Sequence, residues 1–273
     1  MITAEPVAAR PDFDISAVAC RNDHTRWSPP EAHRGHRVVL VRHGRFRRRA
    51  AGVAADLDPS LGYLGAPGEE ESFAHPSGGD RCTSISVTPA LWRSLAGDGG
   101  PGPNSGPFYV DPPLGLAHRR LLASARAGDV DYAVTEQLLG LLATTVARTA
   151  TGPTPATARP TAAHDRALVA AAREAIAEDH PASRTLLSLA GLLGVSPYRL
   201  SRAFPRELGV SLTHHRHHVR IARALDRLQA GEPSLAALAT DLGYADQAHL
   251  TRTLRHHLGH TPSAVRRLLA PAP

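Results

Sequence analysis

The sequence predicts an α+β chain of two domains, a β-barrel with two helices and then an all-α domain that contains two helix-turn-helix units. Three observations lead to this prediction. Short runs with the strand pattern occupy the first part, a stretch rich in Pro and Thr interrupts the chain past its middle, and helical periodicity then continues to the end. We place the first domain at 1–150, a linker at 151–163 and the second domain at 164–273. A chain of 273 residues is long enough to bury two cores.

The first domain has the pattern of short strands separated by turns. Val38–Val41 is a β-branched run, and Thr83–Val87 alternates in the manner of a strand. Turn residues interrupt the pattern at His43-Gly44, Asp58-Pro59 and Ala66-Pro67-Gly68. Short strands at this spacing favour a small barrel or sandwich.

Two helices are predicted after the strands, at Leu114–Ala127 and Asp131–Arg148. The second helix carries one apolar stripe, which consists of Val134, Leu138, Leu141, Leu142 and Val146. This stripe fits either a contact between two copies of the chain or burial against the barrel, and the sequence leaves both open. A barrel with two helices suits a module that senses a ligand or forms a dimer.

Both the composition and the charge change in the middle of the chain. The segment Thr149–Thr161 has no apolar period and is rich in Pro, Thr and Ala, which predicts a linker. A helix is then predicted at Asp165–Asp179, where His180-Pro181 stops it. Residues 1–163 contain 17 Arg and 16 acidic residues, whereas residues 164–273 contain 14 Arg, 9 acidic residues and ten of the sixteen His. A basic second domain favours an anionic partner, either nucleic acid or a membrane surface.

Three features of the sequence bear on localisation. The two cysteines are too few for a disulfide framework in a chain of this size. The N-terminal MITAEPVAARPDFD has acidic residues where a signal peptide needs an apolar run. A membrane-spanning helix needs about 18 consecutive apolar residues, and the sequence has no such run. We therefore expect a cytoplasmic chain without a membrane partner.

The second domain contains an internal duplication. The segment SLAGLLGVSPYRLSRAFPRELGVS at 188–211 aligns with ALATDLGYADQAHLTRTLRHHLGHT at 237–261, with one inserted residue in the second copy. The identical pairs include Leu189/Leu238, Ala190/Ala239, Leu193/Leu242, Gly194/Gly243, Leu200/Leu250, Arg202/Arg252, Leu208/Leu258 and Gly209/Gly259. Matches at one nearly constant offset indicate that the same structural unit occurs twice.

Each copy has the parts of a helix-turn-helix. A short helix ends at Gly194 or Gly243, where the turn needs a left-handed residue. Ser196 with Pro197 starts the next helix of the first copy, and Asp246 caps that of the second. The core stripes of the two second helices are Leu200, Phe204 and Leu208, and Leu250, Leu254 and Leu258.

The outward faces of the two second helices supply the candidate DNA-binding residues. They are Ser196, Tyr198, Arg199, Ser201, Arg202 and Arg206 in the first copy, and Gln247, His249, Thr251, Arg252 and Arg255 in the second. Arg bonds guanine edges or phosphates, Gln suits adenine, and short side chains allow close approach. The alternative for any one of these residues is an ordinary solvated helix surface.

A connecting helix is predicted between the two units, at Leu212–Ala230. At ~1.5 Å per residue it would be roughly 28 Å long. Successive major grooves on one face of DNA are ~34 Å apart. One monomer is therefore expected to place both second helices in adjacent grooves.

The pattern of residues 165–268 resembles the DNA-binding domain of the AraC/XylS family of transcription regulators. The residues that carry the resemblance are Leu189, Ala190, Gly194, Val195, Ser196, Leu200, Ser201, Arg202, Phe204, Leu208, Gly209, Arg220, Ala224, Leu235, Leu238, Ala239, Leu242, Gly243, Tyr244, Gln247, Leu250, Arg252, Leu258, Gly259, Thr261, Pro262 and Ser263. The resemblance implies a sequence-specific regulator that binds double-stranded promoter DNA, with RNA polymerase as a further partner. It also implies a first domain that senses a small-molecule effector or forms a homodimer.

Residues 36–92 are similar to the cupin-like barrel that is common in this family. The second domain departs from the family pattern at Leu250, Leu254 and Leu258, where Phe is frequent, and these leucines keep the core apolar. It also departs at His215 and Arg216, where the family usually has apolar residues.

Several side chains suggest other chemistry. Cys20, His24, His75 and Cys82 are candidates for a zinc or redox site, although two buried cysteines without a CxxC spacing are the alternative. His214, His215, His217 and His218 crowd one turn of the connecting helix, where we expect a polar face near phosphate rather than a metal site. No cofactor is predicted.

An enzymatic function is the alternative to DNA binding alone. Glu69, Glu70 and Glu71 precede His75, so a carboxylate–imidazole pair is conceivable, and Arg45–Arg49 fits an anion grip or a solvated hairpin end. His33 and His36 are one residue too far apart for the His-x-His of cupin metal sites. Without a phosphate loop, nucleophile elbow or Ser-His-Asp pattern, we expect no enzyme. A cupin-type metalloenzyme fused to a DNA-binding domain is the competing hypothesis.

Overall fold

The computed structural model describes residues 2–21, 25–75, 78–96, 105–151 and 161–270. It divides into two compact units, one made of 1–152 together with 257–273 and the other of 153–256. The predicted boundary at 151–163 stays a prediction, since most of it lies outside the described residues. The next described element, a helix, begins at Thr161.

The first unit is built on two antiparallel sheets. A six-stranded sheet has the order β1-β2-β9-β4-β7-β10, and a four-stranded sheet has the order β3-β8-β5-β6. The strands are β1 (Ile2–Arg10), β2 (Phe13–Cys20), β3 (Glu31–Ala32), β4 (His36–Gly44), β5 (Phe46–Ala50), β6 (Val53–Leu57), β7 (Leu61–Gly65), β8 (Glu70–Ala74), β9 (Asp80–Val87) and β10 (Gly106–Tyr109). The sheet-rich first part that the sequence predicts is confirmed.

The predicted strands within 36–92 are confirmed, but the sequence analysis missed the three strands before them, β1, β2 and β3. Val38–Val41 lies in β4 and Thr83–Val87 lies in β9. The missed β1 is an exposed edge strand that contains Pro6 and a bulge between Pro6 and Ala8. Proline is tolerated in an edge strand, where its missing N–H leaves no ladder bond unmade, but it obscures the strand pattern.

Two predictions about turns and hairpins in this unit are wrong. His43-Gly44 is not a free turn, because both residues still pair with β9 after a register shift. Arg45–Arg49 is not a solvated hairpin end, because β5 runs through it and pairs on both sides, with β6 and β8. The side chains of β5 alternate between buried and more exposed positions, as in a strand. The sequence pattern does not show this alternation, because one of the buried residues is an arginine.

The helices of the first part are α1 (Pro89–Ala96), α2 (Pro112–Ala127) and α3 (Thr135–Thr151), with a π-helical turn at Val130–Val134 before α3. The Asp111 side chain caps α2, and Gly128 ends it with φ of 84°. Both predicted helices are thus confirmed.

The stripe on α3 answers the question that the sequence left open. Val134, Leu138, Leu141 and Leu142 are fully buried in this unit's own core, which they share with residues of the sheets such as Ile85. Side chains without exposed surface cannot form a contact between two copies. Burial is therefore the correct alternative, and the role of these residues as dimer contacts is wrong.

The rest of the chain is helical. Its helices are α4 (Thr161–Ala177), α5 (Leu186–Leu192), α6 (Pro197–Leu208), α7 (Leu212–Gln229), α8 (Leu235–Asp241), α9 (Gln247–Leu258) and α10 (Pro262–Leu269), with a 3-10 turn at Pro181–Arg184. Within the described ranges, no helix is both long enough and apolar enough to cross a bilayer. The predicted class, a sheet-rich part followed by a helical part, is confirmed.

Candidate nucleic-acid interface

The first helix-turn-helix consists of α5 and α6. Thr185 caps α5 by accepting a hydrogen bond from the Ser188 amide at 3.1 Å. Gly194 then turns the chain with φ of 66°, and Ser196 caps α6 by accepting from the Arg199 amide at 3.1 Å. The turn and the cap predicted from the sequence are both confirmed. Because the core stripe is buried, with Leu200 and Phe204 fully inaccessible, α6 must present its opposite face outward.

The outward face of α6 carries an aromatic ring and two guanidinium groups. Tyr198 is 73% exposed, and the guanidinium carbon of Arg202 lies 5.9 Å from the centre of its ring. Arg206 is exposed near the end of the helix. Neither arginine forms a hydrogen bond or an ion pair with another described residue. Both charges are therefore available to an external anion.

Three other candidates in the first copy already have partners within the protein. Ser196 is the cap of α6. Arg199 forms an ion pair with Asp165 at 3.3 Å, and the Ser201 hydroxyl donates to the Tyr198 carbonyl oxygen at 2.9 Å. These contacts position α6, so Tyr198, Arg202 and Arg206 remain the stronger candidates for contact with DNA.

The second helix-turn-helix repeats this construction with α8 and α9. Ser234 caps α8, and Gly243 turns the chain with φ of 70°. Asp246 accepts a hydrogen bond from the His249 amide at 2.6 Å, which confirms it as the cap of α9. Leu250 and Leu254 are fully buried. The opposite face of α9 therefore points outward, and it is formed by positions equivalent to those of the outward face of α6.

The outward face of α9 is formed by Gln247, Arg252 and Arg255, which are exposed, and by Thr251, which is partly exposed. No hydrogen bond or ion pair joins these four side chains to other parts of the described chain. His249 differs, because its Nδ1 accepts from the Ala245 amide at 3.4 Å and its ring packs edge-on against that of Tyr244. His249 thus closes the turn of the second unit.

Three arginines of the connecting helix α7 bind it to α4 on one side and to the region of α8 on the other. Arg223 donates to the carbonyl oxygens of Ile176 and Ala177, at the end of α4, at 3.2 and 2.8 Å. Arg220 donates to the Leu242 carbonyl oxygen at 2.8 Å. Arg227 forms ion pairs with Glu232 and, at 3.2 Å, with Asp241. A cation at the C-terminal end of a helix is favourable, since the helix dipole places partial negative charge there.

Two of the four neighbouring histidines of α7 do not lie on the polar face that the sequence suggested. His215 is 1% exposed and packs against the Phe204 ring at 5.2 Å between centroids, so it takes an apolar position of the core. His218 is also buried, with its ring 4.0 Å from that of His214. Burial and the positive charge of Arg220 lower the pKa of His217. The interpretation as a solvated face near phosphate is wrong for His215 and His218.

Comparison with known proteins places this geometry in a family. A family model described as a helix-turn-helix domain matches residues 189–268. The C-terminal domain of AraT, a response regulator from Geobacillus stearothermophilus, is 30% identical in sequence; the match covers 38% of this chain and 88% of that domain, with a TM-score of 0.36. Residues 189–268 thus form a helix-turn-helix domain of the AraC type. The predicted function, a DNA-binding transcription regulator, is thereby confirmed.

Two other similar structures span more of the chain or lie in its first part. ToxT from Vibrio cholerae O395 is 12% identical over 96% of this chain and 100% of its own, with a TM-score of 0.41. A cupin superfamily protein from Desulfitobacterium hafniense DCB-2 is 15% identical over 32% of this chain and 78% of its own, with a TM-score of 0.29. These values are too low to assign a ligand. No curated protein matches.

In the first unit, the structure brings most of the predicted zinc or redox candidates together. Cys20, His75 and Cys82 are all buried around Asp80, a residue that the sequence analysis did not select. His24 lies outside the described residues. Burial and the charge of Asp80 raise the pKa of the Cys82 thiol. Asp80 follows Gly79 at the start of a strand, and no spacing rule marks it.

The carboxylate–imidazole pair that the sequence suggested between Glu69–Glu71 and His75 is wrong. His75 pairs instead with Asp80, at 2.6 Å. Glu69 and Glu71 both bind the buried guanidinium of Arg48, at 2.9 and 2.6 Å. Arg48 is therefore engaged by two carboxylates inside the unit, and the alternative of an anion grip at Arg45–Arg49 lacks its central charge.

Proposed function

We propose that α6 and α9 each enter a major groove of promoter DNA and read base edges through Arg202 and Arg252. These two arginines occupy equivalent positions of the duplicated unit, both are exposed, and neither is bound to another described side chain. A guanidinium group can donate two parallel hydrogen bonds to guanine O6 and N7, which is the commonest specific contact in protein–DNA complexes. This shared position carries the proposal.

The connecting helix supports a fixed spacing of the two units. With 18 residues, α7 is about 27 Å long, which is close to the ~34 Å between successive major grooves. Arg220 and Arg227 join α7 to the second helix-turn-helix. Arg223 joins α7 to α4, which packs beside the first helix-turn-helix. Because α7 is held to both helix-turn-helix units, their relative orientation is already set before DNA is bound. One monomer can therefore place its two recognition helices in two grooves.

The remaining exposed residues divide into two groups. Tyr198, Gln247 and Thr251 lie in the first half of their helices with the two reading arginines, and we assign them to bases or nearby sugars. Arg206 and Arg255 lie about one turn further along, and we assign them to phosphates, which accept hydrogen bonds but carry no sequence information.

Substitution of each reading arginine tests the proposal. A bound site is first selected from genomic DNA, and footprinting and titration then compare the full chain with Arg202→Ala and Arg252→Ala. Each variant should lose about 1–3 kcal/mol of specific binding and much less on random DNA. Arg93→Ala, an exposed arginine of α1 in the other unit, is the control with the same change of charge. Equal losses on both DNAs would assign the arginines to phosphates, and no loss would contradict the placement of the helices.

We also propose that the first unit modulates DNA binding, with a small-molecule effector and a second copy of the chain as partners, and that RNA polymerase is contacted when DNA is bound. The unit's separate core supports an independent module. Size measurement with and without DNA tests dimer formation. The competing hypothesis of a metalloenzyme requires turnover of a substrate.

A further inference from the structure

A buried cluster of ligand-type side chains lies where three strands of the first unit meet. Cys20 is the last residue of β2, Asp80 is the first residue of β9, and His75 directly follows β8. Cys20 and Asp80 are direct partners in the antiparallel pairing of β2 with β9, so their side chains lie on the same face of the sheet. The two sheets thus each contribute to one cluster.

The distances within the cluster are short. A sulfur of Cys20, a ring nitrogen of His75 and a carboxylate oxygen of Asp80 all lie within 4.8 Å of one another. The three residues are 3%, 6% and 6% exposed. Glycines permit this close approach, because a Cβ atom at Gly79 would overlap the Cys20 carbonyl oxygen and one at Gly44 would overlap the Gly79 carbonyl oxygen.

We propose that Cys20, His75 and Asp80 bind one zinc ion. Thiolate, imidazole and carboxylate are the side-chain ligands that zinc takes in proteins, at about 2.0–2.3 Å. Ligand atoms of a tetrahedral zinc ion lie roughly 3.3–3.8 Å apart, so small side-chain shifts are needed, in which His75 and Asp80 exchange their 2.6 Å contact for bonds to the ion. Zinc with one thiolate, one carboxylate and a neutral imidazole has no net charge, which suits a buried site.

Cys82 holds the carboxylate ligand rather than the ion. Its Sγ donates a hydrogen bond to Oδ2 of Asp80 at 3.1 Å, while Oδ1 of Asp80 lies 2.6 Å from Nδ1 of His75. Partners of this kind orient the ligands of metal sites and tune their affinity. In contrast, Cys20 has no hydrogen-bond partner for its sulfur among the described residues, so its lone pairs are open to an ion.

A cleft beside the cluster provides access for the ion and for a fourth ligand. It has a volume of about 430 Å³ and borders both Cys20 and Asp80. Arg21, Arg42 and Arg81 lie on its walls. Their positive charge favours an anion or a water molecule with hydroxide character as the fourth ligand, and it does not repel a site whose net charge is zero.

The proposal makes no use of DNA binding and is tested on the full chain. Purified protein is stripped with a chelator and then titrated with Zn²⁺ and, separately, with Co²⁺. We expect one equivalent of tightly bound Zn²⁺ and, with Co²⁺, a thiolate-to-metal charge-transfer band that Zn²⁺ abolishes. Cys20→Ser and Asp80→Asn should lose both signals. A double variant, His214→Ala with His217→Ala, should keep them, since it removes only the exposed His214 and the half-buried His217 of α7.

X-ray absorption of the zinc-loaded wild type keeps the test independent of folding in the variants. One sulfur at about 2.3 Å, with nitrogen and oxygen in the remaining positions, supports the proposed site. A shell of nitrogen and oxygen alone, or retention of the equivalent by Cys20→Ser, would overturn it. Loss of the equivalent in the α7 histidine variant would also overturn it, because the ion would then belong to that helix.

Discussion

Arg220 of the connecting helix donates from Nε to the carbonyl oxygen of Leu242, at 2.8 Å. This carbonyl lies at the C-terminal end of α8, where the helix leaves its last acceptors unpaired. The same guanidinium group lies over the ring of Tyr244, with 4.3 Å between its carbon and the ring centre. Arg220 therefore fixes the turn that leads into α9, and the orientation of the second recognition helix depends on a residue of α7.

Replacement of Arg220 by Met should release this turn. A hydrogen bond to a charged group contributes about 1.5–3 kcal/mol, and the carbonyl of Leu242 would lose its donor. We expect Arg220→Met to lower the free energy of unfolding by roughly that amount in urea titrations. Footprinting should show weaker protection in one base cluster and normal protection in the other. Arg216→Met, a half-buried neighbour on the same helix, is the control. Equal loss in both clusters would contradict the local role.

The sequence predicted the helical part better than the sheets, and the difference has a physical cause. In the helix-turn-helix units, the turn depends on Gly194 and Gly243 and the helix starts depend on Ser196 and Asp246. These are local interactions between near neighbours, so the sequence shows them directly. Arg223 and Arg227, by contrast, have partners on other helices, and no local pattern marks them.

In the sheets, the residues that matter most are paired across long distances in the sequence. Cys20 and Asp80 are strand partners, but nothing near either residue indicates the other. The sequence predicts that His215 lies on a polar face, because histidine is a polar residue. In the structure its ring packs against Phe204, which makes it a core residue. Histidine is intermediate between core and surface residues in its tendency to be buried, so the sequence of one helix does not show which environment it has.

Arg48 is a second residue whose importance follows from burial. It is 4% exposed, binds Glu71 at 2.6 Å and lies over the ring of Tyr63 at 4.6 Å. Glu71 is itself 1% exposed, and removal of Arg48 leaves this buried charge with a single, more distant cation among the described residues, Arg37 at 3.6 Å. We expect Arg48→Met to lower the free energy of unfolding by about 3–5 kcal/mol. The double variant with Glu71→Gln should recover much of this loss, and a single-variant loss below about 1 kcal/mol would contradict the assignment.

His118 of α2 makes the stability of the first unit depend on pH. Its Nε2 lies 2.8 Å from the Thr83 hydroxyl oxygen, and burial, aided by the charges of Arg119 and Arg42, lowers its pKa to about 3. The unfolded chain has the usual value of about 6.5, so it binds one more proton than the folded chain between these two values. The free energy of unfolding must therefore fall as the pH falls through this window.

For this single group, the loss between pH 7 and pH 5 is about 2 kcal/mol. Urea titrations at several pH values measure it, and His118→Gln supplies the comparison because glutamine does not titrate. The difference in unfolding free energy between wild type and variant should shrink towards pH 5 by about that amount. A difference that stays constant with pH would show that folding does not lower the pKa of His118.

The helical phase of α7 provides the sharpest test of two readers at a fixed spacing. Two residues inserted after Ala224 turn the following part of the helix by about 200°. Arg220 and Arg227 then no longer lie on the same side of α7, so the second helix-turn-helix cannot keep its contacts to both arginines. We expect each intact monomer to protect one base cluster instead of two, with affinity close to the non-specific level. The first helix-turn-helix should keep its contacts to DNA, since α5 and α6 precede the insertion in the chain.

An insertion of four residues at the same position is the matched control. It turns the helix by about 400°, which returns the following part to within about 40° of its original direction and adds about 6 Å of length. Because phase is nearly restored, this variant should bind more tightly than the one with two added residues and show some protection of the second cluster. If the two-residue variant protects both clusters with the affinity of the wild type, the arginine contacts of α7 do not set the spacing, and the two units read DNA independently.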